Sequence, residues 1–334
     1  MSLLGDWESF MSGQPLPQVA AAEKGKSPLP SSINISTKTL MMKASDGLIE
    51  LEKLFWALEL VRYSDPAEGC TKKEMKFTCS SAEEVRHLEE RVAPFSYATT
   101  NVIQHVEVAG KFRHVCNVKI GLCKKDIMTN RVSKKESFYN CVAIFVRIEC
   151  DQGFKEFRVQ VFNTGKIEIP GVQNNDHVPL ILDVLSSSLT AVFPAFSILP
   201  DSLSVVLINS NFDCRFCIQR EKLYTILRDV YSFAVIYDPC HYPGIQCKLY
   251  YDDAGDIHSV LRDAYHEISV MFFWTGRVLI VGKCDEHIIH KAYAYVHKIL
   301  SDEFSKIQDP HVHSSVVKKP PKKLRVQITF KKPT

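Results

Sequence analysis

Phe162-Asn-Thr-Gly-Lys-Ile-Glu-Ile-Pro-Gly171 recurs later in the chain, with substitutions, as Phe273-Trp-Thr-Gly-Arg-Val-Leu-Ile-Val-Gly282. Each copy holds an aromatic residue, a Thr-Gly pair, a cation, an apolar run and a closing glycine. Thr-Gly between two β-rich runs predicts a hairpin, because glycine accepts the positive φ that tight turns need. Each copy also precedes a segment with helical periodicity. An internal repeat of this size predicts a duplicated domain.

The order of predicted elements is the same in both halves of the chain. Each half is expected to run strand, helix, several strands, helix, with apolar residues at helical spacing at Ile181, Leu185 and Leu189 in the first half. The final helix of the second half carries Ile289 and Val296 in the same way. This layout predicts an α+β fold, in which helices pack on one face of an antiparallel sheet.

The domain organisation follows from the repeats and from composition. Pro- and Ser-rich sequence at the start predicts a disordered leader, and a run of Lys and Pro near the end predicts a basic tail. The predicted segments are a leader at 1–35, a first repeat at 36–190 with an insertion at about 63–137, a linker at 191–203, a second repeat at 204–304 and a tail at 305–334.

Composition limits the class of protein. The chain has 334 residues, of which 46% are hydrophobic and 24% charged, as is usual for a globular protein. No apolar run is long enough to predict a membrane span, and the eleven cysteines are expected to be reduced thiols. The formal net charge is +3, but residues 311–334 hold seven cations and no acid, so the remainder is net acidic. A nucleic-acid binder of this composition must concentrate its cations on one surface.

The two hairpin motifs resemble the hairpin that TATA-box-binding proteins (TBPs) carry once in each of their two repeats. Tyr237-Asp-Pro-Cys-His-Tyr-Pro-Gly244 resembles the loop Tyr-Glu-Pro-Glu-Leu-Phe-Pro-Gly of that family. The amino-acid sequence of Gly165–Val172 is most similar to that of the divergent TBP-like proteins of large nucleocytoplasmic DNA viruses. The resemblance implies a duplicated saddle, with a curved antiparallel sheet and helices on its convex face.

The resemblance also implies which residues would contact DNA. The family inserts aromatic wedges into the minor groove and kinks the duplex. The matching positions here are Phe162 in the first repeat and Tyr242 and Phe273 in the second. Phe138 is expected to be the fourth wedge, with Phe112 as the alternative. Phenylalanine residues are more often buried in a core than functional. The matched positions beside the turn glycines favour a functional role for these residues instead.

The cations that the family places on phosphates match four residues: Lys166 and Arg277 after the hairpin turns, and Arg147 and Lys248 on preceding strands. The base-contacting face matches less well. Its expected residues are Lys38, Leu207, Glu168, Pro170, Leu279 and Val281. The family has asparagine where Lys38 and Leu207 stand, and small residues where Glu168 stands, so TATA specificity is not implied.

The implied function is that of a TBP-like general transcription factor. It would act as a monomer that binds and bends double-stranded promoter DNA and recruits a transcription factor IIB-like partner, through Asp238 and Pro239, together with RNA polymerase. The alternative is a degenerate TBP-like interaction subunit of a transcription complex, with weak or no specific DNA binding. The expected location is the nucleus or a viral replication compartment, with packaging in the virion as a further option.

No catalytic motif is evident in the sequence, so neither an enzyme nor a cofactor is expected. Cys214-x-x-Cys217 with Cys240 and Cys247 is the one set that suggests zinc. A zinc ribbon usually has two Cys-x-x-Cys knuckles, and this set has one. Buried free thiols are therefore the expected state, and no metal is expected.

Overall fold

The computed structural model describes residues 27–44, 47–108, 110–128, 137–151, 153–263 and 265–309. In chain order, the first half contains β1 (Asn34–Lys43), α1 (Leu51–Ala57), β2 (Gly69–Cys79), α2 (Ala82–Val92), β3 (Ala98–Val108), β4 (Lys111–Gly121), α3 (Lys124–Met128), β5 (Cys141–Cys150), β6 (Gly153–Phe162), β7 (Lys166–Val172) and α4 (His177–Val192). A 3-10 turn at Pro200–Ser202 leads into the second half.

The second half contains β8 (Ser204–Asp213), α5 (Arg220–Asp229), β9 (Val235–Ile236), β10 (Ile245–Tyr251), β11 (Ile257–His258), β12 (His266–Phe272), β13 (Arg277–Gly282), α6 (Glu286–Asp302) and α7 (Phe304–Ile307). All strand pairs that the structure describes are antiparallel, and they form one sheet in the order β11-β10-β12-β13-β8-β1-β7-β6-β5-β2-β4-β3, with β9 beside β10. The predicted α+β class is confirmed.

The two halves repeat one topology about the central strands. β7, β6 and β5 follow β1 on one side, and β13, β12 and β10 follow β8 on the other. β1 pairs with β8 from Asn34 opposite Asn211 to Met41 opposite Ser204. Because β1 and β8 run in opposite directions, equivalent hairpins lie at opposite ends of this central pair. A ten-residue strand such as β1 spans about 30 Å.

Alternation along the strands assigns each side chain to one of two faces. One face is covered by helices and forms two apolar cores. In the first, Ile181 and Leu185 of α4 pack with Ile144 of β5, and in the second Ile289 of α6 packs with Val270 of β12. The other face carries the intervening residues. We call it the helix-free face because, among the described helices, only the five-residue α3 lies against it. No described helix is both long and apolar enough to cross a membrane.

The ends of the two repeats differ from the prediction. The leader was expected to run to residue 35, but Ser31 N–H donates to the Asp213 carbonyl at 2.8 Å, and Tyr293 Oη donates to the Ser31 carbonyl at 3.0 Å. The tail was expected from 305, but Ile307 is buried in the second core. Apolar contacts and strand pairing hold both segments. Residues 1–26 and 310–334 lie outside the described residues.

The segment expected as an insertion contributes strands to the sheet. β2 lies between β5 and β4, and the β3–β4 hairpin forms the outer edge. Side-chain caps begin α2: Ser81 Oγ accepts from Glu84 N–H at 3.1 Å, and the Glu84 carboxylate accepts from Ser80 N–H at 2.7 Å. The segment therefore widens the sheet of the first repeat.

The hairpin glycines are required by both backbone conformation and space. Gly165 and Gly276 have φ of +74° and +81°. Each donates its N–H at 3.0 Å to the carbonyl of the aromatic residue three positions earlier. A Cβ at Gly165 would stand 2.6 Å from the Gly47 carbonyl oxygen, and one at Gly276 would clash with the Phe216 carbonyl oxygen. Neither position can hold a side chain without displacing backbone.

We predict that Gly276→Ala lowers the free energy of unfolding by roughly 2–4 kcal/mol, because strain at positive φ adds to the clash. Gly153→Ala is the matched control: Gly153 has φ of +97° but open space around its Cβ position. Its cost should be about 1–2 kcal/mol. Urea unfolding of both variants measures the difference, and equal costs would contradict the steric argument.

Candidate nucleic-acid interface

The two hairpins place Phe162 and Phe273 at equivalent positions on the helix-free face. Phe162 directly follows Val161, and Phe273 directly follows Phe272, and both preceding residues are buried in the cores. Alternation therefore directs both aromatic residues to the opposite side of the sheet. The β6–β7 hairpin begins beside Lys43 at the end of β1, and the β12–β13 hairpin beside Asp213 at the end of β8.

Each of these phenylalanines has an aromatic neighbour. The Tyr242 and Phe273 ring centroids are 5.8 Å apart, and the Phe138 and Phe162 centroids are 6.4 Å apart. Phe138 is 62% exposed, which is unusual for phenylalanine. Phe112 instead contacts His105 in the β3–β4 hairpin. The structure thus brings the four expected aromatic residues together as two pairs, with Phe138 rather than the alternative.

A close backbone approach positions the second pair. A Cβ at Gly244 would stand 3.0 Å from the Tyr242 ring and 3.1 Å from the Phe273 ring. The Tyr242 hydroxyl donates to Met271 Sδ at 3.4 Å, so its polar group is directed along the sheet. The glycine of the Pro-Gly pair therefore leaves the space in which both rings sit.

Three of the four expected phosphate-binding cations lie on accessible positions. Lys166 and Arg277 are exposed at the first residues of β7 and β13, beside the aromatic pairs. Lys248 is half-buried on the helix-free face, with Nζ 2.6 Å from the Glu267 carboxylate and 2.9 Å from Ser269 Oγ. Lys248 is therefore already paired with an acid.

Arg147 is occupied by the protein itself. It is 4% exposed, and its guanidinium donates to the carbonyls of Tyr63 at 3.0 Å, Ala67 at 2.8 Å and Asp65. These bonds fasten the loop before β2 over the end of β5. The expectation that Arg147 contacts phosphate is wrong for this arrangement, because its donors are used within the chain.

Lys38 lies on the opposite side from the one expected. Its ammonium group contacts the Glu286 carboxylate at 2.5 Å and Asn175 Oδ1 at 3.4 Å. Glu286 opens α6 and Asn175 precedes α4, so Lys38 joins β1 to the helix layer. β-bulges in β1 shift its register, and a shift of one residue moves a side chain to the other face.

Two asparagines missed by the sequence alignment stand on the helix-free face of β8. Leu207 is on this face, as expected, and Asn209 and Asn211 follow it by alternation. Asn209 lies opposite Val281, and its Nδ2 donates to Thr37 Oγ1 at 3.2 Å. Asn211 lies opposite Leu279. A shift of two residues in the alignment would have found Asn209, since the face would stay the same.

Glu168 is a half-buried acid on the same face in the first repeat. It lies opposite Gln160 of β6 and Met41 of β1. Burial raises the pKa of the Glu168 carboxyl, and the positive charge of Arg158 offsets part of that rise. Pro170 is the next residue on this face of β7. It matches Val281, which follows Leu279 on the same face of β13.

The helix-free face of the first repeat carries further ion pairs that involve α3. Lys72 Nζ lies 2.9 Å from Asp126 of α3 and 2.9 Å from Glu74, and 5.2 Å from the Phe145 ring. The pairs hold α3 against the sheet. The face of the first repeat is thus more ionic than that of the second.

The loop expected to dock a partner is exposed but ordered by its own contacts. The Asp238 carbonyl accepts from Tyr242 N–H at 2.9 Å, and the Asp238 carboxylate lies 2.6 Å from His241 Nδ1. Pro239 and Cys240 stand exposed at the tip. Among the described residues, no group of three or more His, Cys, Asp or Glu side chains is arranged to hold a metal ion.

The chain is similar to proteins named as TBP or TBP-like. No protein-family profile matches the chain. Over 200 residues the chain is 25% identical to a protein of Acanthamoeba polyphaga mimivirus named "TATA-box-binding protein-like". The resemblance to TBP-like proteins, a viral one among them, is confirmed. The match covers 54% of this chain and about half, 53%, of the TBP-like relative. The TBP of Methanococcus jannaschii aligns with a TM-score of 0.41 and 11% identity, over 81% of this chain and 99% of that protein.

We predict that Glu168 lowers stability as pH rises. Its raised folded-state pKa means that the folded chain binds the proton more tightly than the unfolded chain, so stability is lost as pH rises through that pKa. Glu168→Gln cannot ionise and should remove this loss. Urea unfolding at several pH values between about 4 and 8 should show wild-type stability falling relative to the variant. Parallel curves would contradict the burial argument.

Proposed function

We propose that this protein is a TBP-like transcription factor that binds and bends duplex DNA on its helix-free face. One observation carries the proposal: two aromatic pairs, Tyr242 with Phe273 and Phe138 with Phe162, occupy equivalent places at opposite ends of one continuous sheet surface. Aromatic side chains on a sheet face outside the cores suit insertion between base pairs. The name of the mimivirus relative supports a role in transcription.

Bending is favourable when new protein–DNA contacts offset the base stacking that is lost. Opening a base step costs roughly a few kcal/mol, and the bend that results lets more protein surface touch the DNA. Two wedge pairs about 30 Å apart along the central strands would open two steps and bend the duplex between them. Lys166 and Arg277, beside the wedges, would hold the flanking phosphates without reading sequence.

Sequence preference would come from the centre of the face. Asn209 and Asn211 offer amide groups that can bond base edges in the minor groove, while Glu168 carries an acid that phosphate would repel. We therefore propose altered or relaxed preference rather than TATA recognition. As a monomer bound to a promoter, the protein would recruit a transcription factor IIB-like partner through Asp238 and Pro239, and RNA polymerase, in the nucleus or a viral replication compartment.

A second candidate function is favoured by the ionic face of the first repeat. Lys72 is paired there with both Glu74 and Asp126, and the Arg147 guanidinium donates to a loop. A face so occupied suits a degenerate TBP-like subunit that binds proteins more than DNA. Salt separates the two candidates, because a phosphate-contacting face loses affinity steeply as salt rises and an assembly subunit binds DNA weakly throughout.

We predict that Phe273→Ala reduces the DNA bend angle more than it reduces affinity, because phosphate contacts remain after the wedge is removed. Energy transfer between dyes at the two ends of a duplex reports the bend. Trp274→Ala is the matched control, since Trp274 is 42% exposed on the same turn but follows the wedge position. A wild-type complex without a bend would favour the interaction-subunit candidate.

Cations and acids on the face should act on affinity instead of bending. Lys166→Ala and Arg277→Ala should each lower the slope of log affinity against log salt by about one. Glu168→Gln should tighten binding at fixed salt by removing repulsion. Unchanged affinity in Glu168→Gln would show that its carboxylate does not face the bound duplex.

A further inference from the structure

The sheet has a gap between β6 and β7 that the second repeat lacks. β6 pairs with β7 only at Gln160–Glu168 and Val161–Ile167, although β6 extends back to Gly153. In the same register Arg158 would oppose Pro170, which has no N–H to donate. Gly171, with φ of +81°, follows where the register of β7 against β1 shifts, between Leu40–Ile169 and Lys38–Val172.

The equivalent strands of the second repeat stay paired. β12 and β13 pair continuously from Phe272–Val278 to Ile268–Gly282, and Ser269 opposes Val281. Val281 therefore stands where Pro170 stands in the first repeat, and it continues the ladder. The contrast shows that a proline and a bulge glycine, and not the topology, leave the edge of β6 open.

A groove of about 980 Å³ occupies this gap. It is bounded by β6, by Pro170 and Gly171 and by the start of α4 at His177. Its aromatic walls are Tyr63, Phe145, Phe154 and Phe157. Its charged lining residues are the cations Lys124, Lys125, Arg147, Lys155 and Arg158 and the acids Asp65 and Glu156. The groove is therefore apolar in its walls and net positive.

Two polar atoms at the groove are buried without hydrogen-bond partners within the described structure. They are Arg158 Nε and His177 Nδ1. Buried polar atoms normally have partners, so an occupant that supplies acceptors would satisfy them. An open strand edge offers backbone hydrogen bonds to one more strand, which is a recurring mode of peptide recognition.

We propose that the groove binds an extended acidic segment of a partner protein, which adds a strand to β6. Its backbone would pair with β6 from Phe154 to Arg158. Its carboxylates would lie on the face of β6 that carries Arg158, toward Lys125, and its apolar side chains on the opposite face would contact Phe157. The proposal does not require DNA binding, although Pro170 lines both the groove and the face proposed for DNA.

The test uses three fluorescein-labelled peptides of about eight residues, the length of one strand. One alternates Glu and Val, one replaces every Glu by Lys, and one keeps Glu but is N-methylated at alternate residues. Fluorescence anisotropy with the full chain should show binding of the first, with affinity for the other two at least about tenfold weaker. Equal binding of all three, absence of binding by the acidic peptide, or stronger binding of a dT oligonucleotide at the same site would overturn the proposal.

Variants locate the binding. Pro170→Val should let β7 pair with β6 as Val281 does with β12, closing the groove and weakening the acidic peptide about tenfold. Lys125→Glu reverses one exposed charge at the groove and should weaken binding of the acidic peptide about fivefold. Lys298→Glu, the same change at an exposed position on α6, should leave that binding unchanged. Unchanged affinity in both groove variants would overturn the proposal while leaving DNA binding to be judged separately.

Discussion

β1 and β8 pair antiparallel at the centre of the sheet, and through them the two halves become one surface. Because the central strands run in opposite directions, each repeat places its hairpin at the opposite end of the pair. Because the longer helices of both halves pack on the same side, the other side is continuous across the β1–β8 junction. Two separate domains joined by a flexible linker would present the same aromatic pairs without a fixed distance between them.

The two repeats share topology but differ in the chemistry of the face. At matched places the first repeat has Glu168 and Pro170 and the second has Leu279 and Val281. In the first repeat Glu168 is a partly buried acid, and the pairing of β6 with β7 stops before Pro170. In the second repeat the pairing of β12 with β13 continues through Val281. The second repeat is thus the more apolar half of the DNA face we propose. The first repeat combines that role with ion pairs, a widened sheet and a groove.

The sequence predicted what local spacing determines. The Thr-Gly turns of the hairpins place Phe162 and Phe273 on one face, and alternation on β8 and β13 gives the faces of Leu207 and Leu279. Lys38 could not be placed in this way, because bulges in β1 change which residues alternate. Arg147 could not be placed either, since the loop that takes its donors approaches only in three dimensions. The gap beside Pro170 was similarly invisible, because it depends on the register of two strands.

Photocrosslinking from single positions tests directly whether the helix-free face holds duplex DNA. A benzophenone amino acid would replace Phe162, Phe273 or, as the control on the helix-covered side, Phe193, whose ring lies 5.1 Å from Lys53 of α1. The account predicts crosslinks to duplex DNA from the first two positions, at two distinct base steps, and none from Phe193. Crosslinks from Phe193 alone, or from no position under conditions where DNA is bound, would contradict it.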